Sequence, residues 1–322
     1  MEFPNIRAAK QKADESLAKG RKPKQVLLYY LGISTLVSLL VALADYYLAT
    51  QLAKSSGLQM VNNRSILQTV MSILPIVQLF VTLGLGYGYL HAMMRISRGT
   101  YADQNDLKTG FRYIGPIFRC ALLQGLIYLA VALVSYFVVT TAMNLSPWGS
   151  NLTESLGRMM DAIEAGTVYR FDTVVLVMII LYAVLTFGVC VPIMYRFRMV
   201  NYVLLDNPRS GARYALRAST EIMQGNCLKL FMLDLSFWWY DVLLILATVI
   251  GSGDQILSLL GVRLPFEPAM ASFVFFGVYL VLEFIILYFL RNKVELTYIH
   301  TYDTLVEKPE TEGIILGNIF EM

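Results

Sequence analysis

TVVLVMIILYAVLTFGVCVPIMY, residues 173–195, runs from Asp172 to Arg196 without a single charged side chain. A helix rises about 1.5 Å per residue, so a hydrocarbon core about 30 Å thick takes roughly 20 apolar residues to cross. This run is long enough. Three others are equally free of charge, between Lys24 and Asp45, between Arg64 and Arg95, and between Arg119 and Glu154. A fifth apolar stretch from Lys229 to Gly251 carries Asp234 and Asp241, and a sixth from Ala269 to Arg291 carries Glu283. The expected fold is all-α, a polytopic membrane protein with six transmembrane helices over about 26–50, 67–94, 114–143, 172–198, 229–251 and 269–291. They form a membrane domain, 25–300, between an N-terminal segment, 1–24, and a tail, 301–322.

Composition points the same way. Of 322 residues, 57% are hydrophobic and only 15% charged, with a mean hydropathy of +0.57, far from the usual soluble domain. A net charge of +3 provides no basic surface of the kind nucleic-acid binding needs. Of the 26 Lys and Arg, 21 fall in alternate segments counted from the N-terminus and 5 in the others. Because Lys and Arg concentrate in cytoplasmic loops, both termini are expected inside a cell (cytoplasmic) membrane. Cys120, Cys190 and Cys227 fall in no outer loop, which argues against structural disulfides.

Amphipathic helices are expected in the inner loops. Leu107, Phe111 and Ile114 recur at helical spacing and predict a helix lying along the membrane. After Asn207-Pro208, one helical face carries Ala215, Ser219, Ile222 and Met223. A second face carries Arg209, Arg213 and Arg217. Those arginines are candidate contacts for lipid phosphates, with a solvated face and an Arg217–Glu221 pair as the plainer alternative. Lys10, Lys12, Lys19, Arg21, Lys22 and Lys24 in the N-terminal segment offer a further route to anionic lipids, with a plain topology determinant as the alternative.

Ionisable side chains inside a membrane are costly, about 2.5 to 3.5 kcal/mol on insertion scales, which makes Asp234, Asp241 and Glu283 a candidate polar intramembrane site. Measured from Lys229 or Arg291, they lie about 8, 18 and 12 Å deep. On one continuous helix Asp234 and Asp241, seven apart, share a face. Arg119, Arg196 and Arg198 lie at a depth that suits an ion pair with Asp234. Asp241 and Glu283 lack a basic partner at matching depth, leaving hydrogen-bonded carboxyls between helices or a wet cavity. Asp45 falls at the outer edge, where it is expected to be solvated. Gly84-x-x-x-Gly88 is a small-residue spacing that lets two helices approach closely, within the chain or across a dimer. No zinc, nucleophile-elbow or P-loop motif is present, so the expectation is no enzyme, no cofactor and no metal site.

The stretch Leu204-Leu205-Asp206-Asn207-Pro208, Ala215-Leu216, Ser219, Met223, Gly225-Asn226, Leu230-Phe231 and Leu233-Asp234-Leu235-Ser236-Phe237 resembles a bacterial membrane-protein family, domain of unknown function 975. Looser likeness runs from Arg7-Ala8-Ala9-Lys10 to Tyr298 and Tyr302-Asp303. The resemblance implies a bacterial cytoplasmic membrane protein of several helices without an established activity. It also places Asp234 in the shared motif, while Asp241 and Glu283 match nothing in it. The functional expectation is an uncharacterised integral membrane protein serving as a non-enzymatic scaffold or accessory subunit of the cell envelope. Its partners are expected to be the lipid bilayer, anionic lipids, and a second copy or another membrane protein. The alternative is a transporter or lipid-handling permease that uses Asp241 and Glu283.

Overall fold

A computed structural model describes residues 4–19, 23–54, 60–164, 172–259 and 268–306. These residues form helices and connecting turns, and no strand occurs among them. In chain order the helices are α1 (Ile6–Lys19), α2 (Pro23–Lys54), α3 (Met60–Ser97), α4 (Asp106–Arg112), α5 (Ile114–Leu145), α6 (Gly149–Glu164) and α7 (Thr173–Arg196). They continue with α8 (Val200–Asp206), α9 (Ala212–Met223), α10 (Cys227–Leu235), α11 (Trp238–Gly251), α12 (Gly253–Leu259) and α13 (Pro268–Val306). Five stretches are long and apolar enough to cross a membrane: Pro23–Leu48, Thr69–Ser97, Ile114–Leu145, Thr173–Asp206 and Met270–Val306. There are six if α10 and α11 together make one crossing. The all-α, multi-span fold read from the sequence is therefore present.

The chain divides into two compact units. One comprises the described residues of Met1–Phe118, Asn201–Gly211 and Leu228–Met322, the other those of Arg119–Val200 and Ala212–Cys227. In the first unit α13 packs against α1, α2, α3, α11 and α12. Its apolar half ends near Arg291, where the sequence reading placed the end of the crossing, yet the helix continues to Val306. Leu296, Thr297, Ile299 and Thr301 in that extension are completely buried. The hydroxyls of Thr297 and Thr301 donate to the carbonyls four residues earlier, at 2.7 and 2.8 Å. Such local bonds let a hydroxyl be buried without a distant partner.

α1 is amphipathic and lies along this extension. Ala9 and Ala13, one turn apart, are buried, and Asp14 accepts a hydrogen bond from the Lys293 amine at 2.8 Å. The Ser16 hydroxyl is hydrogen-bonded to His300 Nε2 at 2.9 Å.

The loop after α3 forms a helix over Leu107 and Phe111, as their spacing predicts, but that helix ends before Ile114. α4 folds back on α3, its first turn fixed by Asp106, which accepts from Arg95 at 2.7 Å and from the backbone N–H of Asp103 at 2.8 Å. A methyl group added to Gly110 would lie 1.7 Å from the Gly84 carbonyl oxygen, and one added to Gly88 would lie 2.2 Å from the Leu107 carbonyl oxygen. The small-residue spacing thus serves packing within the chain, where only glycine fits. Ile114 stands beyond a break at Tyr113, as the first residue of α5.

The second unit is built on α5, α6, α7 and α9. Val139, Met143, Leu152 and Val175 form its small core, with Leu156, Met178 and Leu185 packed around it. Arg158 of α6 pairs with Asp172 at 2.9 Å. α9 buries Ala215, Ser219 and Met223, as its periodicity predicts. The cysteines Cys120, Cys190 and Cys227 are all free thiols.

Candidate functional site

The fifth apolar stretch is not one straight helix. α10 and α11 meet at an angle of 64°, and the break follows from local bonding. The Ser236 hydroxyl donates to the Leu233 carbonyl at 2.5 Å, the Phe237 N–H to Asp234 at 2.8 Å and the Tyr240 N–H to Phe237 at 2.8 Å. These three-residue steps tighten the chain and leave the Ser236 carbonyl outside the helical ladder. The Lys10 amine from α1 donates to it at 3.0 Å while lying 4.0 Å above the Phe237 ring. Partial burial, then the neighbouring Lys293, lowers the pKa of that amine from its usual value.

This bend corrects the expectation that Asp234 and Asp241 share one helical face. Asp234 lies in the last turn of α10, half-buried, and accepts a hydrogen bond from the Tyr298 hydroxyl of α13. Asp241 lies beyond the bend in the first turn of α11, on an exposed face. Glu283 is half-buried in the middle of α13 and accepts from the Tyr279 hydroxyl one turn before it. Arg119, Arg196 and Arg198 belong to the second unit; there the Arg196 carbonyl accepts from the Ser219 hydroxyl at 2.8 Å. Asp45, expected to be solvated, has one carboxylate oxygen buried with no hydrogen-bond partner among the described residues. Arg213 and Arg217 stand exposed one turn apart on α9, with Arg217 paired to Glu221 at 3.1 Å. Arg209 lies exposed in the turn before α9.

A polar assembly lies on the extension of α13, where sequence reasoning named no site residue. Its outer part is a clamp. Arg98, just past α3, donates to both carboxylate oxygens of Asp206 at 2.8 and 3.3 Å and to Asp303 at 2.8 Å. The Tyr302 hydroxyl donates to Asp206 at 2.8 Å and the Ser97 hydroxyl to Asp303 at 3.1 Å. The hydrogen bond to Asp206 foremost, then that to Asp303, holds the Arg98 pKa above its ordinary value against the opposing effect of partial burial. Bidentate guanidinium–carboxylate geometry is the strong, directional form of this interaction.

About three turns nearer the apolar half, the Arg291 guanidinium lies 4.7 Å from the Tyr30 ring centre and 5.1 Å from that of Tyr89. Those two rings stack at 4.9 Å. Glu295 is 3.9 Å from Arg291 Nε, which is buried without a hydrogen bond among the described residues, so ring faces supply much of the compensation for its charge. The Tyr89 hydroxyl donates to Asn292 at 2.8 Å, and the Tyr202 hydroxyl to Glu295 at 3.3 Å. A signal existed in the sequence, since Arg291 and Glu295 are spaced one turn apart. A reading that ends a span at its first charge passes over it.

The arrangement defines a class: a helical membrane-type protein in which one long helix gathers α1, α2, α3, α8 and α10 through charged and tyrosine side chains. Residues 6–308 match the family model described as protein of unknown function (DUF975), and the chain belongs to that family. No curated protein and no solved structure matches it. The segments that carried the resemblance meet in the fold. Asp206, Tyr302 and Asp303 converge on Arg98, Asp234 meets Tyr298, and Lys10 reaches Ser236.

Proposed function

We propose that this protein is a non-enzymatic scaffold or accessory subunit of a bacterial cytoplasmic membrane, with both termini inside. The observation that supports this reading best is the clamp of Arg98 with Asp206 and Asp303. Its charges are spent on one another, joining three distant parts of the chain into a fixed frame, which is what a platform for other proteins requires. In the same reading Asp234 and Glu283, each bonded to a tyrosine, act as connectors between or along helices. The exposed Arg209, Arg213 and Arg217 meet anionic lipid phosphates, and a second copy or another membrane protein docks against the membrane domain. The test is neutralisation of the acids. Asp241→Asn and Glu283→Gln should leave membrane abundance and co-purifying partners unchanged; loss of the co-purified partner in both variants would contradict the reading.

One observation favours a transporter instead. Broken membrane helices commonly line substrate sites in transporters, and the bend between α10 and α11 lies next to Asp234. Under that reading Asp241→Asn abolishes uptake of a solute by vesicles containing the pure protein.

A further inference from the structure

Beside the bend between α10 and α11 lies a shallow cleft of about 620 Å³, within the range of small-ligand sites. One wall is the start of α1. Asn5 caps that helix, its side-chain oxygen accepting from the Arg7 N–H at 3.0 Å, and Arg7 and Lys10, three residues apart, share a face. The other wall is α10 and the residue after it, which contribute Lys229, Met232 and Ser236.

Three cations line the cleft, and no carboxylate does among the described residues. The Lys10 amine donates to the Ser236 carbonyl and lies over the Phe237 ring, both neutral, and the charged neighbour that acts on it is another cation, Lys293. Arg7 and Lys229 are exposed, and their side chains make no ion pair or hydrogen bond among the described residues. The nearest described acids along the chain, Asp14 and Asp234, are turned to Lys293 and Tyr298. Setting the charge of Asp234 against the three cations still leaves a net +2. Of the other basic residues before α2 from which lipid contacts were expected, Lys12, Lys19 and Lys24 do not line this cleft, and Arg21 and Lys22 lie outside the described residues.

α10 sets the level of the cleft in a membrane. Leu228, Phe231, Met232 and Leu235 stand exposed at spacings of three, one and three, a single apolar stripe opposite the buried Leu230 and Leu233. Trp238 and Trp239, just past the bend, are exposed as well, and tryptophan is enriched where hydrocarbon meets headgroups. Lying 64° off α11, α10 has the pattern of a helix in the interface, apolar on one side and basic beside it. Met232 belongs to both the stripe and the cleft, so the cations adjoin the apolar surface. A ligand that satisfies both carries an anion and acyl chains in one molecule. A zwitterionic headgroup brings its own ammonium to a site that is already positive, whereas the phosphate of an anionic lipid such as phosphatidylglycerol comes without one.

We infer that the cleft between the start of α1 and α10 binds the phosphate of an anionic phospholipid through Arg7, Lys10 and Lys229, with the acyl chains along the stripe of α10. The site rests on the membrane part of the reading above, deepens its lipid contacts, and suits a platform and a transporter alike.

The test uses the full chain in phosphatidylcholine nanodiscs that contain a trace of lipid with a photoactivatable group near the top of one acyl chain. The probe is phosphatidylglycerol or, in a parallel sample, phosphatidylcholine, and labelled residues are mapped by mass spectrometry. Labelling of α7, whose apolar surface is exposed, is the reference for folding and incorporation. Relative to α7, the phosphatidylglycerol probe is expected to label residues 228–235 at least fivefold more than the phosphatidylcholine probe. Arg7→Gln with Lys229→Gln should abolish that excess and leave α7 unchanged. Lys12→Gln with Lys19→Gln, which removes the same charge further along α1, should retain it. Equal labelling by the two probes, an excess that survives Arg7→Gln with Lys229→Gln, or equal loss in both variants overturns the proposal. Displacement of the probe by glycerophosphoglycerol, the headgroup without its chains, overturns it in favour of a soluble anion. If neither probe labels α7, the membrane reading falls together with the site.

Discussion

Arg98 holds Asp206 through two parallel hydrogen bonds although 108 residues separate them in the chain. The pair fastens the end of α3 to the end of α8, and Asp303 brings α13 to the same guanidinium. Because Arg98 is nearly half exposed, solvent screening reduces what the ion pairs contribute. Arg98→Ala should cost about 1 to 2 kcal/mol, mostly from leaving two carboxylates side by side. Arg98→Lys should recover only part, since a point charge cannot reproduce the fork. Thermal unfolding in detergent at low and high salt checks both, with the smaller loss at high salt.

Glycine packing gives a sharper contrast. Gly110→Ala puts a methyl group into the Gly84 carbonyl, whereas Gly115→Ala, five residues on, meets nothing within 4 Å. The first should separate α4 from α3 and lower the melting temperature by several degrees or prevent accumulation. The second should be neutral or slightly stabilising in α5, as alanine is the better helix former. Equal behaviour of the two would contradict the α3–α4 contact.

Buried tyrosine hydroxyls should matter modestly. Tyr89→Phe removes the bond to Asn292, and Tyr298→Phe the bond to Asp234. Interhelical hydrogen bonds in membrane proteins average about 0.6 kcal/mol, with a maximum near 1.7. Tyr89→Phe should lie near the upper figure, because Asn292 is buried and would be left unsatisfied. Denaturant titration of each variant beside wild type measures the two losses.

The topology carries its own test. Reporters active only in the cytoplasm, fused separately to each end of the chain, should both be active if an even number of crossings and the Lys/Arg distribution set the orientation. Activity at one end alone would require an odd number, with α10 and α11 forming a re-entrant hairpin instead of a crossing.

Much of this fold was legible because a lipid-facing helix announces itself by lacking charge, as residues 173–195 do. The same criterion explains what was missed. It ends α13 at Arg291, when that arginine is covered by Tyr30 and Tyr89 and the helix runs on to Val306. It treats residues 229–251 as one helix, because nothing in the hydropathy pattern marks the turn at Ser236 or the lysine from α1 that satisfies it. Arg98, Asp206 and Asp303 were visible as charges, but their meeting depends on how helices far apart in the chain pack, and periodicity carries no information on that. Asp241 and Glu283 stood out because charge inside an apolar run is conspicuous; the structure gives Glu283 a neighbouring tyrosine and leaves Asp241 on an exposed face.

Native mass spectrometry of the protein released gently from its own membrane tests the scaffold reading most directly. The account predicts a stable homo-oligomer or protein partner that persists in Asp241→Asn and Glu283→Gln, with no solute dependent on either acid. A stoichiometric solute that disappears when Asp241 or Glu283 is neutralised would contradict it and would identify the cargo of a transporter.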